Sequence, residues 1–104
     1  MIPTMICRLL FVSGPREGEV FLVERTPFWL GRDPRCDLTF DPEQELTVSG
    51  RHACIELDAR GAVTLRDNST NGTLVNGAKT QRAVLKANDE IQMGKLVVGV
   101  SLPL

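Results

Sequence analysis

The stretch ACIELDARGAVTLR, residues 53–66, decides the fold. Its two arms alternate between apolar and mostly polar side chains, which is the period-two pattern of half-buried strands. The positions predicted to face the core are Ala53, Ile55, Leu57, Val63 and Leu65. The positions predicted to face the other way are Cys54, Glu56, Asp58, Thr64 and Arg66. Because the tetrapeptide DARG at 58–61 is typical of a turn, the stretch predicts an antiparallel β-hairpin.

Short apolar runs, broken by turn residues, continue outward from this hairpin in both directions. They predict further strands at 5–12, 19–23, 28–31, 38–40, 73–75, 83–85, 89–93 and 95–102. The last of these should bury one face, made of Leu96, Val98, Val100 and Leu102. Asn76-Gly77 is typical of a type I′ hairpin turn. The segment 80–86 is the only one that could form a short helix, and 41–45 resembles a loop.

This pattern of short strands favours an all-β fold. About eleven strands in roughly a hundred residues are typical of a β-sandwich of two mostly antiparallel sheets. In such a sandwich the ligand-binding groups belong on the loops at one end. The length of 104 residues suits a single domain, 1–104, with its core at about 5–102.

The composition limits the classes of partner. A net charge of −1 argues against bulk attraction to nucleic acid or to an anionic membrane. No apolar run approaches the ~20 residues that cross a bilayer, so no membrane insertion is expected. The aromatic residues, one Trp and four Phe, lie mostly in predicted strands, which disfavours an oligonucleotide-binding barrel. Any anion must therefore be bound by a few placed groups.

The three cysteines, Cys7, Cys36 and Cys54, are odd in number and form no C-x-x-C pair. This argues against a disulfide framework and a zinc site, and we expect neither a metal nor a cofactor. Cys7 and Cys54 lie within apolar runs and should be buried. The first five residues lack the basic and apolar segments of a signal peptide, so we expect a cytoplasmic location.

Polar residues gather where the predicted strands end. Arg32 follows one strand and offers a planar fork of donors to a phosphate or carboxylate; the alternative is a surface arginine paired with Asp33 or Asp37. The Ser49 hydroxyl and nearby N–H groups suit an anion's oxygens, and His52 could hold that loop in shape. The alternatives are an ordinary loop hydroxyl and a partly buried strand histidine.

The segment NSTNGT, residues 68–73, is dense in side chains that bond to backbone groups. The Asn71 amide offers both a donor and an acceptor, which together can hold the backbone of an extended peptide. Gly72 suits a positive φ. The alternative is a plain hairpin loop, which often has this composition.

The order and spacing of these motifs resemble the forkhead-associated (FHA) domains. The motifs are Gly31-Arg32, Ser49-x-x-His52, Thr70-Asn71-Gly72 and Asn76-Gly77. The resemblance extends over about 5–102 and implies an eleven-stranded sandwich that binds phosphothreonine peptides at its loop tips. It implies a role in Ser/Thr kinase signalling, with a phosphothreonine-containing protein or peptide, a kinase substrate, as the partner.

The resemblance also implies a role for each matching residue. Arg32 would contact the phosphate, Ser49 would bond a phosphate oxygen, and Thr70 would assist there. Asn71 would hold the peptide main chain beside the phosphothreonine. The residues that would support the architecture of the site are Gly31, His52 and Gly72.

One position departs from the family pattern. Gly50 stands where the family often has Arg, Lys or Asn, so its backbone N–H is left to meet the phosphate. Arg51, one residue along, should point to the opposite face of the strand. The departure keeps open a second function, that of an FHA-like scaffold or assembly module that does not depend on phosphate.

A hydrolase built from Ser49, His52 and Asp67 is a third reading. Serine and histidine three apart in an extended segment project to opposite sides, which does not suit proton transfer. The glycines of a nucleophile elbow are also missing around Ser49. We therefore expect no catalytic residue and no enzyme activity.

Overall fold

The computed structural model describes residues 5–41 and 46–102, so most of the predicted loop at 41–45 lies outside the described residues. Within these ranges the chain forms eleven strands and no helix, and hence no helical segment suited to span a bilayer. The strands are β1 (Cys7–Phe11), β2 (Val20–Val23), β3 (Phe28–Gly31), β4 (Leu38–Thr39), β5 (Ala53–Leu57), β6 (Val63–Asp67), β7 (Thr73–Val75), β8 (Ala78–Thr80), β9 (Arg82–Val84), β10 (Glu90–Met93) and β11 (Leu96–Ser101).

The strands form two sheets. The six-stranded sheet has the order β2-β1-β11-β10-β7-β8, and the five-stranded sheet has the order β4-β3-β5-β6-β9. Neighbouring strands pair antiparallel, except that β3 and β4 run parallel. The prediction of a sandwich with about eleven strands in mostly antiparallel sheets is confirmed.

The core lies between the sheets and is built from alternate residues of the strands. The predicted inward face of β11 is confirmed, with full burial at Leu96, Val98 and Val100 and partial burial at Leu102. Phe11 contacts Phe21 and Phe40 edge to face, with ring centroids 5.8 and 6.1 Å apart. Because burying one such side chain contributes about 1.5–3 kcal/mol, this core holds the strand ends, and so the loops, in place.

The hairpin at 53–66 forms as β5 and β6, with Leu57 opposite Val63. One prediction for its faces is wrong: Leu57 is 44% exposed, because β5 ends there at the rim of the sheet. Cys54 faces outward and is fully buried, which confirms both predictions made for it. Trp29 and Arg66 flank it in register, and the Arg66 guanidinium lies 5.6 Å from the Trp29 ring centroid, which covers the thiol.

The structure corrects the segment after β7. The proposed helix at 80–86 is wrong, and β8 was missed; the strand predicted at 83–85 lies at Arg82–Val84. The type I′ turn at Asn76-Gly77 is confirmed, with φ values of 52° and 83°. This turn folds β8 back onto β7, while β9 pairs with the distant β6. Pairing between distant strands therefore overrides a weak local preference.

Candidate functional site

Three loops meet at one end of the sandwich: β3–β4, β4–β5 and β6–β7. They meet because β3, β5 and β6 are neighbours in one sheet and run antiparallel. Backbone bonds join the loops directly. The Arg32 N–H donates to the Ser49 carbonyl at 3.1 Å, and the Asn68 N–H donates to the His52 carbonyl at 2.8 Å. The structure thus brings the motifs at 31–32, 49–52 and 68–73 together, whereas Asn76-Gly77 lies in the β7–β8 turn, where Asn76 bonds to Asp89 and Glu90.

Gly31 is the point of closest approach between the first two loops. A Cβ at this position would lie 2.1 Å from the Gly50 carbonyl oxygen. A side chain of any kind would therefore displace the β4–β5 loop. The glycine is required here by the close approach of another backbone.

Arg32 is half-buried beside the β4–β5 loop, and its Nε donates a hydrogen bond to the Val48 carbonyl. The carboxylates considered as its partners are engaged by other arginines. Asp33 pairs with Arg35 at 2.8 Å, and this interaction lowers the pKa of Asp33 to about 2. Asp37 lies 3.8 Å from Arg25.

His52 is buried beneath the loops. Its Nδ1 accepts the Ser49 N–H at 3.0 Å, and its Nε2 donates to the Gly72 carbonyl at 3.0 Å. Both bonds require the neutral ring protonated at Nε2. Burial lowers the pKa of His52, against the opposing effects of the Gly72 carbonyl and Asp67. One side chain therefore ties the β4–β5 loop to the β6–β7 loop.

His52→Ala should lower the free energy of unfolding by about 1–3 kcal/mol, because it leaves the Ser49 N–H and the Gly72 carbonyl without their partner. The wild-type domain should also lose stability as the pH falls below about 6.5. Above that pH the ring is neutral in both states, whereas below it the unfolded chain takes up a proton that the folded chain resists. Denaturant titrations at about pH 7.5 and 5.5 measure both effects.

The chain has a single histidine, so the variant should lose this pH dependence. Carboxylates with lowered pKa values, such as Asp33, contribute only at more acidic pH. A melting temperature equal to that of the wild type would reject a supporting role for His52.

Ser49 presents its hydroxyl to the neighbouring loop. Its Oγ accepts the Thr70 N–H at 3.0 Å. His52 Nδ1 is occupied by the Ser49 backbone N–H, not by the hydroxyl. The arrangement therefore lacks the hydroxyl-to-imidazole bond with which a serine hydrolase activates its nucleophile.

Gly50 is exposed at the crest of the β4–β5 loop. Its carbonyl accepts the Asp33 N–H at 2.9 Å and the Cys36 S–H at 3.3 Å. Within residues 5–41 and 46–102 its own N–H has no hydrogen-bond acceptor. Its φ lies outside the left-handed region, and a Cβ built there would meet no atom within 4 Å.

The β6–β7 loop is stabilised by hydrogen bonds that converge on Asp67. Its Oδ1 accepts from the Ser69 N–H at 3.1 Å, the Ser69 hydroxyl at 2.6 Å and the Thr73 hydroxyl at 2.8 Å. Burial raises the pKa of Asp67, but these bonds outweigh it and the pKa is lowered. Gly72 has a φ of 98° and donates to Ser69 Oγ at 2.7 Å. Thr70 and Asn71 are thereby left exposed at the tip.

Sequence reasoning missed part of the support beneath this tip. Asn71 Nδ2 donates to the Thr47 carbonyl at 3.4 Å. A Cβ at Gly94, where φ is 61°, would lie 2.0 Å from Thr47 Oγ1. The β10–β11 turn therefore packs against the β4–β5 loop, which contains Thr47. Asn68 Nδ2 donates to the Arg51 carbonyl at 3.1 Å. The sequence offered one signal for this contact, the position of Gly94 between two predicted strands, where a turn is expected.

Arg51 precedes β5, and its guanidinium lies 5.5 Å from the Trp29 ring centroid on the outer face of the sheet. It thus sits beside Arg66, which contacts the same ring. In the described ranges no cluster of three or more His, Cys, Asp or Glu side chains could hold a metal ion.

The chain is similar to known proteins in both sequence and fold. A family model for the FHA domain matches residues 28–94. The glycogen accumulation regulator GarA of Mycolicibacterium smegmatis is 35% identical over 94 residues, which are 90% of this chain and 58% of GarA. This chain therefore spans less than two thirds of that relative's length.

Solved structures of FHA domains have a similar fold. An FHA domain from a structural and functional analysis of phosphothreonine-dependent FHA domain interactions has a TM-score of 0.81 at 31% identity. The alignment covers 95% of this chain and 99% of that one. The N-terminal FHA domain of S. cerevisiae Rad53p, solved with a phosphothreonine peptide, has a TM-score of 0.81 at 25% identity and aligns over 95% of this chain and 94% of its own.

Proposed function

This chain belongs to the FHA domain family, and from that premise we propose that it recognises phosphothreonine-containing protein segments in Ser/Thr kinase signalling. The observation that carries the proposal is the convergence of three loops on one exposed tip, each held from beneath. The assignment of 1–104 as one FHA domain is part of this proposal. So are the activity and partners of any longer protein that contains the chain.

The proposed roles follow the chemistry of the tip. Arg32 supplies the positive charge for the phosphate, and a guanidinium offers a planar fork of donors to such an anion. The Ser49 hydroxyl and the Gly50 N–H bond phosphate oxygens, with Thr70 assisting. Asn71 holds the ligand's main chain through its amide. Gly31, His52 and Gly72 keep the loops in the conformation that this requires.

We propose binding without catalysis, in the cytoplasm. The Ser49–His52 geometry, in which the imidazole takes the backbone N–H, supports the absence of hydrolase activity. All three cysteines are free and buried, as suits a reducing compartment. Burial raises the pKa of Cys7 to about 11, so this thiol is unreactive at neutral pH.

The test is a calorimetric titration with a phosphothreonine peptide and its unphosphorylated twin. The proposal expects binding of the first and at most weak binding of the second. A phosphoserine twin should bind less tightly, because the family resemblance implies an apolar niche for the threonine methyl group. Equal binding of phosphorylated and unphosphorylated peptides would instead support a phosphate-independent scaffold, the function that Gly50 favours.

Gly50→Arg should tighten binding of the phosphothreonine peptide roughly three- to tenfold, because it adds a charged hydrogen-bond donor beside the phosphate. The melting temperature should not fall, since the site is open and its φ is unstrained. Gly50→Ala is the matched control: it adds the Cβ without the cation, and its affinity should equal that of the wild type. A well-folded Gly50→Arg variant that binds no tighter would show that Gly50 is not next to the phosphate.

A further inference from the structure

A polar cleft of about 280 Å³ opens beside the β6–β7 loop. One wall is that loop itself, and the other is formed by β8 and the residue that follows it. The residues that line the cleft include Asp67, Thr70, Gly72, Lys79 and Gln81. Thr70 belongs both to this cleft and to the tip, where its N–H donates to Ser49 Oγ at 3.0 Å. The cleft is therefore continuous with the proposed phosphate site.

Lys79 is held at the mouth of this cleft. A Cβ built on Gly72 would lie 2.8 Å from Lys79 Cε and 3.5 Å from its Nζ, so the lysine stem lies across the loop at Gly72. The register places Lys79 opposite Leu74 on the outer face of the six-stranded sheet. The side chain is exposed, and across the described part of the chain its ammonium forms no ion pair or hydrogen bond.

Asp67, the acidic group of the cleft, forms no ion pair with this ammonium within residues 5–41 and 46–102. Its Oδ1 accepts three hydrogen bonds from Ser69 and Thr73 within its own loop. It is half-buried, whereas Lys79 and Gln81 are exposed. The exposed side chains of the cleft that can meet a ligand carboxylate are therefore a cation and an amide. The Asp67 charge offsets part of the attraction, so the expected effect is modest.

We propose that this cleft binds an aspartate or glutamate side chain of the ligand, with Lys79 as the residue that sets the preference. The inference rests on the proposed function. A peptide whose phosphate lies at Arg32 and Ser49, and whose main chain is held by Asn71, crosses the β6–β7 loop. Its next residues then pass over the cleft on the other side of that loop. An exposed ion pair of this kind should tighten binding about two- to fivefold at low salt.

The experiment uses phosphothreonine peptides with alanine flanks, into which a single Glu or its neutral analogue Gln is placed at each flanking position in turn. At one position or two adjacent positions, Glu should bind more tightly than Gln. Lys79→Met keeps the stem over Gly72 and removes the charge, so it should abolish this difference while leaving the Gln peptides unaffected. Lys79→Arg should preserve the difference. So should Lys86→Met, which removes an exposed lysine outside the cleft.

The possible outcomes distinguish a failure of this inference from a failure of the proposed phosphothreonine recognition. If phosphorylation is required but Glu and Gln bind alike at every position, the inference is wrong and the proposed function stands. A Glu preference that survives Lys79→Met, or an equal loss for both peptide series, also overturns the inference, because Lys79 would then act elsewhere or only as packing. If the wild type ignores phosphorylation, both are wrong.

Discussion

Arg32→Ala should weaken binding of the phosphothreonine peptide roughly ten- to a hundredfold. A hydrogen bond to a charged group contributes about 1.5–3 kcal/mol, and each 1.4 kcal/mol is about tenfold in affinity. Because Gly50 supplies no side-chain donor, we expect Arg32 to carry most of the neutralisation of the phosphate. The domain should stay folded, although the variant loses the bond from Arg32 Nε to the Val48 carbonyl. Calorimetric titration measures the affinity, and a thermal melt checks the fold.

Arg51→Ala is the matched control for this prediction. Arg51 is an exposed arginine at the same end of the sandwich, but its guanidinium lies against Trp29 on the outer face of the sheet. We expect less than about a threefold change in affinity from Arg51→Ala, as for an exposed charge.

Arg32→Lys should recover only part of the affinity, since an ammonium keeps the charge and lacks the planar fork. Unchanged affinity in Arg32→Ala would remove the basis of the proposed phosphate site.

Gly31→Ala should cause the largest loss of stability of any substitution proposed for this domain. The new Cβ would meet the Gly50 carbonyl oxygen at 2.1 Å, the Gly50 carbonyl carbon at 2.8 Å and the Arg51 Cα at 3.0 Å. These are backbone atoms, which cannot rotate away as a flexible side chain can. Overpacking of this kind costs about 3 kcal/mol or more, which for a domain of this size lowers the melting temperature by roughly 12 °C or more.

Gly50→Ala again serves as the control, because it makes the same chemical change on the other side of this contact. A Cβ at Gly50 meets nothing within 4 Å, so its melting temperature should equal that of the wild type. If Gly31→Ala remains folded, Ser49 should be displaced along with its loop, and affinity for the phosphothreonine peptide should fall as well. A melting temperature within about one degree of the wild type would contradict the close approach.

Most of the fold could be predicted from local pattern. The alternation in 53–66 requires a hairpin with one buried face, and β11 repeats the same rule over its whole length. The strand β8, Ala78–Thr80, was missed because its three residues, Ala-Lys-Thr, show no apolar alternation and none of them is buried. It forms because the Asn76-Gly77 turn brings it against β7. The strand β9 pairs with the distant β6, a partner that no short window contains.

Only part of the candidate site could be predicted from the sequence. The resemblance to FHA domains is confirmed. The motifs at 31–32, 49–52 and 70–72 meet at one tip, whereas Asn76-Gly77 forms the β7–β8 turn away from it, and the roles toward a phosphate stay predictions. The contact of Gly94 with Thr47 was not predictable, because it joins elements 47 residues apart. The position of Lys79 over Gly72 was missed because β8 itself was missed. Gly50 could be recognised as a departure, but only the backbone geometry shows that a side chain would fit there.

The bonds beneath the tip bear on how quickly a ligand is captured and released. His52 ties Ser49 to Gly72, and Ser49 in turn is tied to Thr70. Ordering one backbone residue costs about 1–2 kcal/mol of conformational entropy, and these bonds hold Ser49, Thr70 and Gly72 in place without a ligand. We therefore expect most of the entropic loss on binding to fall on the extended ligand segment, and capture to need no slow rearrangement of these residues. Occupancy of this domain should therefore follow the rise and fall of phosphorylation with little delay.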